Sequence, residues 1–147
     1  MKLATALLCD FASARGSVLT IVGGGVNQVL RPSYPGPLGV MIAIALEVED
    51  PDYGRRHMIK VAVRSEDGQV VGDVTGGFDL GRVEDIVIPP RLKAIVPMAI
   101  PLGLIILPSP GVYDVVVYLN GRKAKAVSVL AQQGPAAESP GVPGESH

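Results

Sequence analysis

The feature that most constrains the fold is a series of short apolar runs, rich in valine and isoleucine and separated by glycine and proline. The runs cover residues 2–11, 17–24, 38–49, 57–65, 69–80, 93–107, 112–120 and 122–131. Runs of this length, bounded by turn residues, are typical of β-strands, and none carries a sustained helical period with capping residues. The sequence therefore predicts an all-β protein, an immunoglobulin-like antiparallel β-sandwich of seven or eight strands with little or no helix.

Two connections between these runs carry specific turn signals. Asn120-Gly121 separates the last two runs, and this dipeptide tolerates the positive φ angles of a type I′ hairpin turn. Asp67-Gly68 lies between two earlier runs and predicts a second hairpin of the same kind. Pro97 and Pro101 interrupt the run of residues 93–107. Because proline has no N–H group to donate, we expect that strand at a sheet edge or with a bulge.

Tyr113 stands at the head of a valine-rich run, directly after a Pro/Gly corner. This arrangement is similar to the tyrosine corner of immunoglobulin-like sandwiches and to the Leu…Pro…Tyr-x-Val-x-Val pattern of fibronectin type III strands. Since side chains alternate along a strand, every second residue from Tyr113 onward is expected to point into the core. The residues concerned are Tyr113, Val115, Val117 and Leu119.

Composition excludes several classes of function. The net charge of -1 gives no positive excess for nucleic acid, and aromatic residues make up only 4% of the chain. A single cysteine, Cys9, allows neither an internal disulfide nor a Cys2His2 zinc site. The apolar segment after Lys2 is shorter than a secretory signal, and no run reaches the length of a membrane span. We expect a cytoplasmic protein with no membrane segment and no cofactor.

The composition changes at residue 132. The segment QQGPAAESPGVPGESH, residues 132–147, is rich in glycine and proline and has almost nothing apolar to bury. Such a segment is typical of a flexible tail. The predicted organisation is one β-sandwich domain over residues 1–131 and a disordered tail over residues 132–147.

The segment SVLTIVGGGVNQVL could be either a phosphate-binding turn or a tight bend. A dinucleotide fingerprint needs a third small residue, but Gln28 stands at that position. It also needs a helix after the glycines, and Pro32, Pro35 and Pro37 would interrupt one. A structural bend at the glycines is therefore favoured over a nucleotide site.

Acidic residues cluster in the segment EVEDPD, where Glu49, Asp50 and Asp52 are weak candidates for calcium ligands in an end loop. The spacing matches no EF-hand loop, and Arg55 and Arg56 follow directly, so a solvated hairpin loop is favoured. A small-ligand or calcium-binding β-sandwich is kept as the alternative function.

No arrangement of residues points to catalysis. His57 opens a predicted strand beside two arginines, and Cys9 lies inside an apolar strand, where a thiol is usually inert. The sequence has no G-x-S-x-G nucleophile elbow. We therefore expect no enzymatic activity and no catalytic residue.

Apolar residues occur on both faces of two predicted strands. Val116 and Tyr118 lie opposite the predicted core face of their strand, and Met41 lies on the second face of an earlier one. A sheet with one solvated face should alternate apolar and polar residues, and exposed apolar patches mark interfaces. The leading hypothesis is a non-enzymatic binding or assembly module that uses this face for a protein partner or for self-association as a homo-oligomer. Burial of the second face within the same fold is the alternative.

The segments MKLATALLCDFAS, IVGGGV, PLGVMIAIALEV and PGVYDVVVYLNGR together resemble a family of short actinobacterial proteins of unknown function. The resemblance covers roughly residues 1–131 and leaves out the tail. It implies an all-β fold and a cytoplasmic chain without a leader. It implies no catalytic or binding residues.

Overall fold

The structure is a computed structural model that describes residues 1–81, 89 and 91–135. About two thirds of these residues lie in β-strands, and a single 3₁₀ turn, Asp50–Asp52, is the only helical segment among them. The all-β prediction is confirmed. The strands are β1 (Lys2–Arg15), β2 (Val18–Gly24), β3 (Gln28–Arg31), β4 (Gly36–Pro37), β5 (Met41–Val48), β6 (Arg56–Ser65), β7 (Val70–Asp79), β8 (Ala94–Pro101), β9 (Ile106–Leu107), β10 (Gly111–Leu119) and β11 (Arg122–Gln133).

The strands form two main sheets and one small one. A four-stranded sheet has the order β2-β1-β5-β8, a five-stranded sheet has the order β3-β11-β10-β6-β7, and β4 pairs with β9. Each predicted run of residues contains a strand. The described strands outnumber the seven or eight predicted because β3, β4 and β9 are short and carry little apolar signal. The prediction of purely antiparallel pairing was wrong, since β3 runs parallel to β11.

The two main sheets enclose one hydrophobic core. Leu8, Ile42, Ile44 and Leu46 contribute from the four-stranded sheet, and Val61, Val63, Val115 and Val117 contribute from the five-stranded sheet. Tyr113, Val115, Val117 and Leu119 are all buried, as the alternation predicts. The core therefore follows from the period of two along each strand.

The four-stranded sheet is strongly curled. Some Cα atoms of β2 and β8 lie within 8 Å of one another, although three strand spacings in a flat sheet would separate them by about 14 Å. A second apolar cluster of Cys9, Ala12 and Ala43 fills the inside of this curl. The small alanine side chains allow the backbones to approach closely there. Part of the second apolar face is thus buried within the fold.

The two predicted hairpin turns have different outcomes. Asn120 and Gly121 both have positive φ angles, 50° and 81°, which confirms the type I′ prediction. The second turn was predicted with the wrong type. The Gly68 N–H bonds to the Ser65 carbonyl, and the Ser65 N–H bonds to the Gln69 carbonyl, each at 2.9 Å. This is a three-residue loop, and its glycine, with φ 84°, takes the left-handed conformation after the turn.

Two predictions were made for the region with Pro97 and Pro101, and one of them is confirmed. β8, which contains both prolines, is an edge strand of its sheet, as predicted. The single predicted strand over residues 93–107 was wrong, because the chain leaves the sheet after Pro101 and forms a loop before β9. This loop places Leu104 at the surface.

The glycines at residues 23–25 form a bend, and no helix follows them, since β3 begins at Gln28. Gly23 has φ +63°, and a side chain there would collide with the carboxylate of Asp10. The N–H of Gly25 donates to the Leu8 carbonyl at 2.8 Å and closes the bend against β1. The structural interpretation of this segment is confirmed.

The last strand extends two residues beyond residue 131, where the end of the domain was predicted. β11 continues to Gln133 because its backbone pairs with β3, where Gln132 lies opposite Leu30 and Gln133 opposite Arg31. Backbone pairing orders this end without apolar side chains, which is why composition missed it. The rest of the predicted tail, residues 136–147, lies outside the described residues. No helix in the described part of the chain is long and apolar enough to cross a membrane.

Candidate functional site

Val116 was predicted as an interface residue on the second face of its strand, but its side chain is covered within the chain. Val116 is only 4% exposed. The Arg64 Nη2 group donates a 3.0 Å hydrogen bond to the Tyr118 hydroxyl. In the register of β10 with β6, however, Tyr118 lies opposite Lys60, which is four residues away from Arg64. Four residues of a strand span about 13 Å, so the two long side chains reach toward each other across the sheet. They meet over Val116 and cover it, while Tyr118 itself stays partly exposed.

Met41 was also predicted on a free surface, and it lies in the curl of the four-stranded sheet instead. It is half-buried against the cluster of Cys9, Ala12 and Ala43. Its sulfur accepts a hydrogen bond from the Ala12 N–H at 3.4 Å, and its carbonyl accepts one from the Cys9 thiol at 3.6 Å. Burial raises the pKa of that thiol, and the nearby Asp10 carboxylate raises it further.

The three acidic calcium candidates lie in one turn but serve different roles. The Asp52 carboxylate is 2.8 Å from the N-terminal ammonium of Met1 and accepts the Glu49 N–H at 2.8 Å. Burial alone would raise the pKa of Asp52, but these hydrogen bonds and the ammonium charge outweigh it and hold that pKa below its ordinary value. Lys93 binds the Glu49 carboxylate at 3.0 Å, and this bond raises the pKa of Lys93.

The carboxylates of Glu49, Asp50 and Asp52 do not converge on a common point. Glu49 and Asp52 form a capping box around the 3₁₀ turn, in which each side chain accepts from the other residue's backbone. Within residues 1–81, 89 and 91–135, no group of three or more His, Cys, Asp or Glu side chains is arranged to hold a metal ion. Asp52 is therefore paired with the Met1 ammonium and Glu49 with Lys93, rather than with a shared ion.

His57 joins this turn to the hairpin between β10 and β11. It is 4% exposed, and its Nε2 lies 2.7 Å from the Asp52 carbonyl oxygen. The Asn120 amide lies 3.0 Å from Nδ1, and the Asn120 Oδ1 accepts the Met58 N–H at 2.9 Å. A carbonyl can only accept, so Nε2 carries the proton and Nδ1 accepts from Asn120. Both ring nitrogens are thus used in structural contacts.

Among the edges of the two main sheets, the free edge of β7 differs from the other three. β8 carries Pro97 and Pro101, β3 has only four residues, and β2 approaches β8 through the curl. β7 has ten residues with neither proline nor lysine, and no described strand pairs with its outer edge. Proteins normally protect exposed edges with proline, charge, short length or a cover. β7 is therefore the edge most open to pairing with another strand.

Two apolar clefts follow this edge. One, of about 310 Å³, lies between β7 and β8 and is lined by Val74, Phe78, Met98 and Ile100 among others. The other, of about 510 Å³, lies between β7 and the loop after β8 and is also lined by Val74. Leu104 and Ile106 in that second wall are 96% and 50% exposed. This surface was not predicted from the sequence, because the loop after β8 was predicted as part of a strand.

Comparison with known proteins places these strands in a family. The model of a family described as "Family of unknown function (DUF6941)" matches residues 4–131. The chain belongs to the DUF6941 family. The match begins in β1 and ends in β11, so the DUF6941 region includes both main sheets. The predicted resemblance to a family of unknown function over residues 1–131 is confirmed in that respect. No curated protein matches the chain.

The outer face of the five-stranded sheet in this DUF6941 chain holds a groove of about 360 Å³. Its lining residues are Met58, Lys60, Arg64, Thr75, Tyr118 and Gly121. Of these residues only Tyr118 was predicted at a functional surface, as part of an apolar face. The structure instead surrounds Tyr118 with two cations.

Proposed function

We propose that this DUF6941 chain is a non-enzymatic assembly module that pairs with a second copy of itself through the free edge of β7. The observation that carries the proposal is this ten-residue edge without proline, lysine or a described pairing strand. A strand with one unpaired edge offers a row of backbone N–H and C=O groups to another strand. The structural roles of His57 and the burial of Cys9 support an assembly role over catalysis.

The sequence of β7 favours one register with itself. In an antiparallel pair, directly opposite residues point to the same face of the sheet. A two-fold axis that relates the strands must therefore lie midway between the two copies of one residue, which stand opposite each other. The register is named below by that residue. With the axis at Thr75, the glycines stand opposite the larger side chains. Val74 then faces Gly76, Asp73 faces Gly77, and Phe78 faces Gly72 of the second copy. Each large side chain has room over a glycine, and no two charges oppose each other.

The adjacent registers are less favourable. An axis at Gly76 would place Asp73 opposite Asp79, and like charges directly opposite destabilise a strand pair. An axis at Val74 would place Gly72 opposite Gly76, which leaves no side-chain contact there. The axis at Thr75 is therefore the register that this strand supports best.

Apolar surface beside β7 would enlarge the contact. Leu104 and Ile106 lie along the cleft at the β7 edge and are largely exposed. Exposed apolar patches on a monomer usually mark interaction sites. A second copy seated on β7 would shield these residues from water, which adds burial to the backbone hydrogen bonds.

A cysteine at position 75 tests both the assembly and its register. Across the two-fold axis, two Thr75→Cys side chains would have Cα atoms about 4.5–5.5 Å apart, which suits a disulfide. We expect mild oxidation to convert Thr75→Cys into a covalent dimer. Asp73→Cys is the matched control, because it lies on the same strand and face, but its two copies would stand about 13 Å apart.

Three outcomes separate the alternatives. Crosslinking of Thr75→Cys without Asp73→Cys supports the proposed register. Equal crosslinking of both variants indicates random collision or a shifted register. If neither variant crosslinks at concentrations where the wild type is dimeric, the dimer uses another surface. The native Cys9 is buried and does not interfere with the assay.

A further inference from the structure

We propose that the groove around Tyr118, on the outer face of the five-stranded sheet, binds a small organic anion that carries a carboxylate on an apolar body. The groove has a volume of about 360 Å³, within the range of small-molecule sites. It lies within one copy of the chain, so this inference does not depend on pairing through β7. It is carried by the two cations in the groove and by the lack of a counter-ion for Arg64 among the described residues.

Arg64 is a partly buried cation without an anionic partner among the described residues. Its direct neighbour across the strand pair is Asp114, which would be the obvious counter-ion. The Asp114 carboxylate instead accepts a 2.7 Å hydrogen bond from the Ser128 hydroxyl. The Arg64 Nε is buried and has no hydrogen-bond partner in the described chain. Burying a charge without a partner is costly, so the site favours an added anion.

The geometry holds the Arg64 guanidinium in place. Its Nη2 donates to the Tyr118 hydroxyl at 3.0 Å, which anchors one corner of the planar group. The Nη1 corner has no such bond among the described residues and remains for a ligand. A carboxylate at this corner would gain a charge-assisted hydrogen bond from a donor that is already oriented.

A second cation stands on the other side of Tyr118. The Lys60 Nζ lies 6.0 Å from the centre of the Tyr118 ring and 3.7 Å from an Asp73 carboxylate oxygen. The Lys60 and Asp73 side chains are about half exposed, so that ion pair is weak. No acidic residue lines the groove within the described chain. The groove is therefore positive, which suits a negative ligand.

The remaining walls of the groove suit an apolar body. Met58 is 43% exposed, and its flexible thioether adapts to aromatic and aliphatic groups. The Tyr118 ring offers a flat surface, and Gly121 leaves room beside it. Thr75 adds one hydroxyl group. A purely inorganic anion would use the cations and leave these contacts unused.

Benzoate is a suitable probe, because it joins a carboxylate to a flat apolar ring. Titration of the full chain at constant ionic strength, followed by ¹⁵N NMR of the arginine Nε–H groups, reports on Arg64 directly. We expect a saturable shift of the Arg64 resonance with benzoate and a weaker response to acetate. Benzyl alcohol, which has the ring without the charge, should leave that resonance unchanged.

Substitutions then test the named residues. Arg64→Gln should weaken benzoate binding about tenfold, since it removes the charge-assisted hydrogen bond. Lys60→Gln should weaken it several-fold and provides a second test if Arg64→Gln fails to fold. Arg122→Gln is the matched control, because Arg122 is exposed on β11 outside the groove. We expect wild-type affinity for that variant.

Three results would overturn the inference. One is the lack of a saturable Arg64 shift at tens of millimolar benzoate. Another is binding that is equally strong in Arg64→Gln and Lys60→Gln as in the wild type. An equal response to benzoate and benzyl alcohol would show that the groove binds apolar rings without regard to charge, which also contradicts it.

Discussion

The Tyr113 hydroxyl donates a 2.6 Å hydrogen bond to the backbone carbonyl of Ser109, four residues earlier in the chain. The Tyr113 side chain is 2% exposed, and its hydroxyl ties β10 to the segment that leads into it. This is the contact by which a tyrosine corner is defined. It fixes the entry of the central strand of the five-stranded sheet.

Tyr113→Phe should lower the free energy of unfolding by about 1 kcal/mol, because it removes one hydrogen bond while keeping the ring. Thermal unfolding should show this as a decrease in Tm of about 3 °C. Tyr34→Phe is the matched control, since the Tyr34 hydroxyl bonds to the Gln132 carbonyl in an exposed position. A loss in Tyr34→Phe as large as in Tyr113→Phe would contradict the anchoring role.

The strands and the core could be predicted because they depend on local patterns. Alternation along β10 identified Tyr113, Val115 and Val117 as core residues, and Asn120-Gly121 identified its hairpin. These signals act within a few residues of sequence. The same kind of signal identified β8 as an edge strand from its prolines.

The candidate surfaces could not be predicted because they depend on distant contacts. The pattern of β10 alone predicts Val116 at the surface. It is covered because Arg64, from another strand, bonds to Tyr118 above it. Met41 is covered only because the four-stranded sheet curls. The openness of the β7 edge is a property of strand order, and several sandwich topologies share the same sequence pattern.

Asp52→Asn should destabilise the protein by about 1.5 kcal/mol near pH 7, since it breaks the contact with the Met1 ammonium. The pKa of Asp52 is lowered in the folded protein. Its contribution is therefore present above the unfolded pKa of about 3.9 and is lost as the pH falls through the folded value. Denaturant unfolding should show the stability difference between the wild type and Asp52→Asn shrinking as the pH falls below the unfolded pKa of about 3.9.

Asp50→Asn is the control for this experiment, because Asp50 lies in the same turn and forms no ion pair among the described residues. Its stability should follow that of the wild type across the whole pH range. A constant difference between the wild type and Asp52→Asn at every pH would contradict a charge-based role for Asp52.

Calcium at millimolar concentration should leave the Tm of the wild type unchanged. The Asp52 carboxylate is bound to the Met1 ammonium, and the Glu49 carboxylate is bound to Lys93. A ligand that binds the folded state at a hundredfold excess over its Kd would stabilise it by about 2.7 kcal/mol. A calcium-dependent rise in Tm that Asp52→Asn removes would support the calcium-binding alternative.

Cys9 should react with a thiol reagent slowly in the native protein and rapidly in denaturant. It is fully buried, and burial raises its pKa, which lowers the fraction of reactive thiolate. Thr20→Cys provides the internal comparison, since position 20 is exposed on β2 and its new thiol should react rapidly in the native state. Fast native labelling of Cys9 would contradict its place in the core.

Solution mass by light scattering across a concentration series tests self-association through β7 most directly, with Thr75→Lys beside the wild type. Two lysines facing each other across the two-fold axis would repel and block pairing. Thr20→Lys, the same change at an exposed position of β2, is the control. We predict that the measured mass of the wild type and of Thr20→Lys rises toward twice the chain mass with concentration. The mass of Thr75→Lys should stay at that of one chain. A wild type that stays monomeric at the highest concentrations, or a Thr75→Lys variant that still dimerises, would contradict this account.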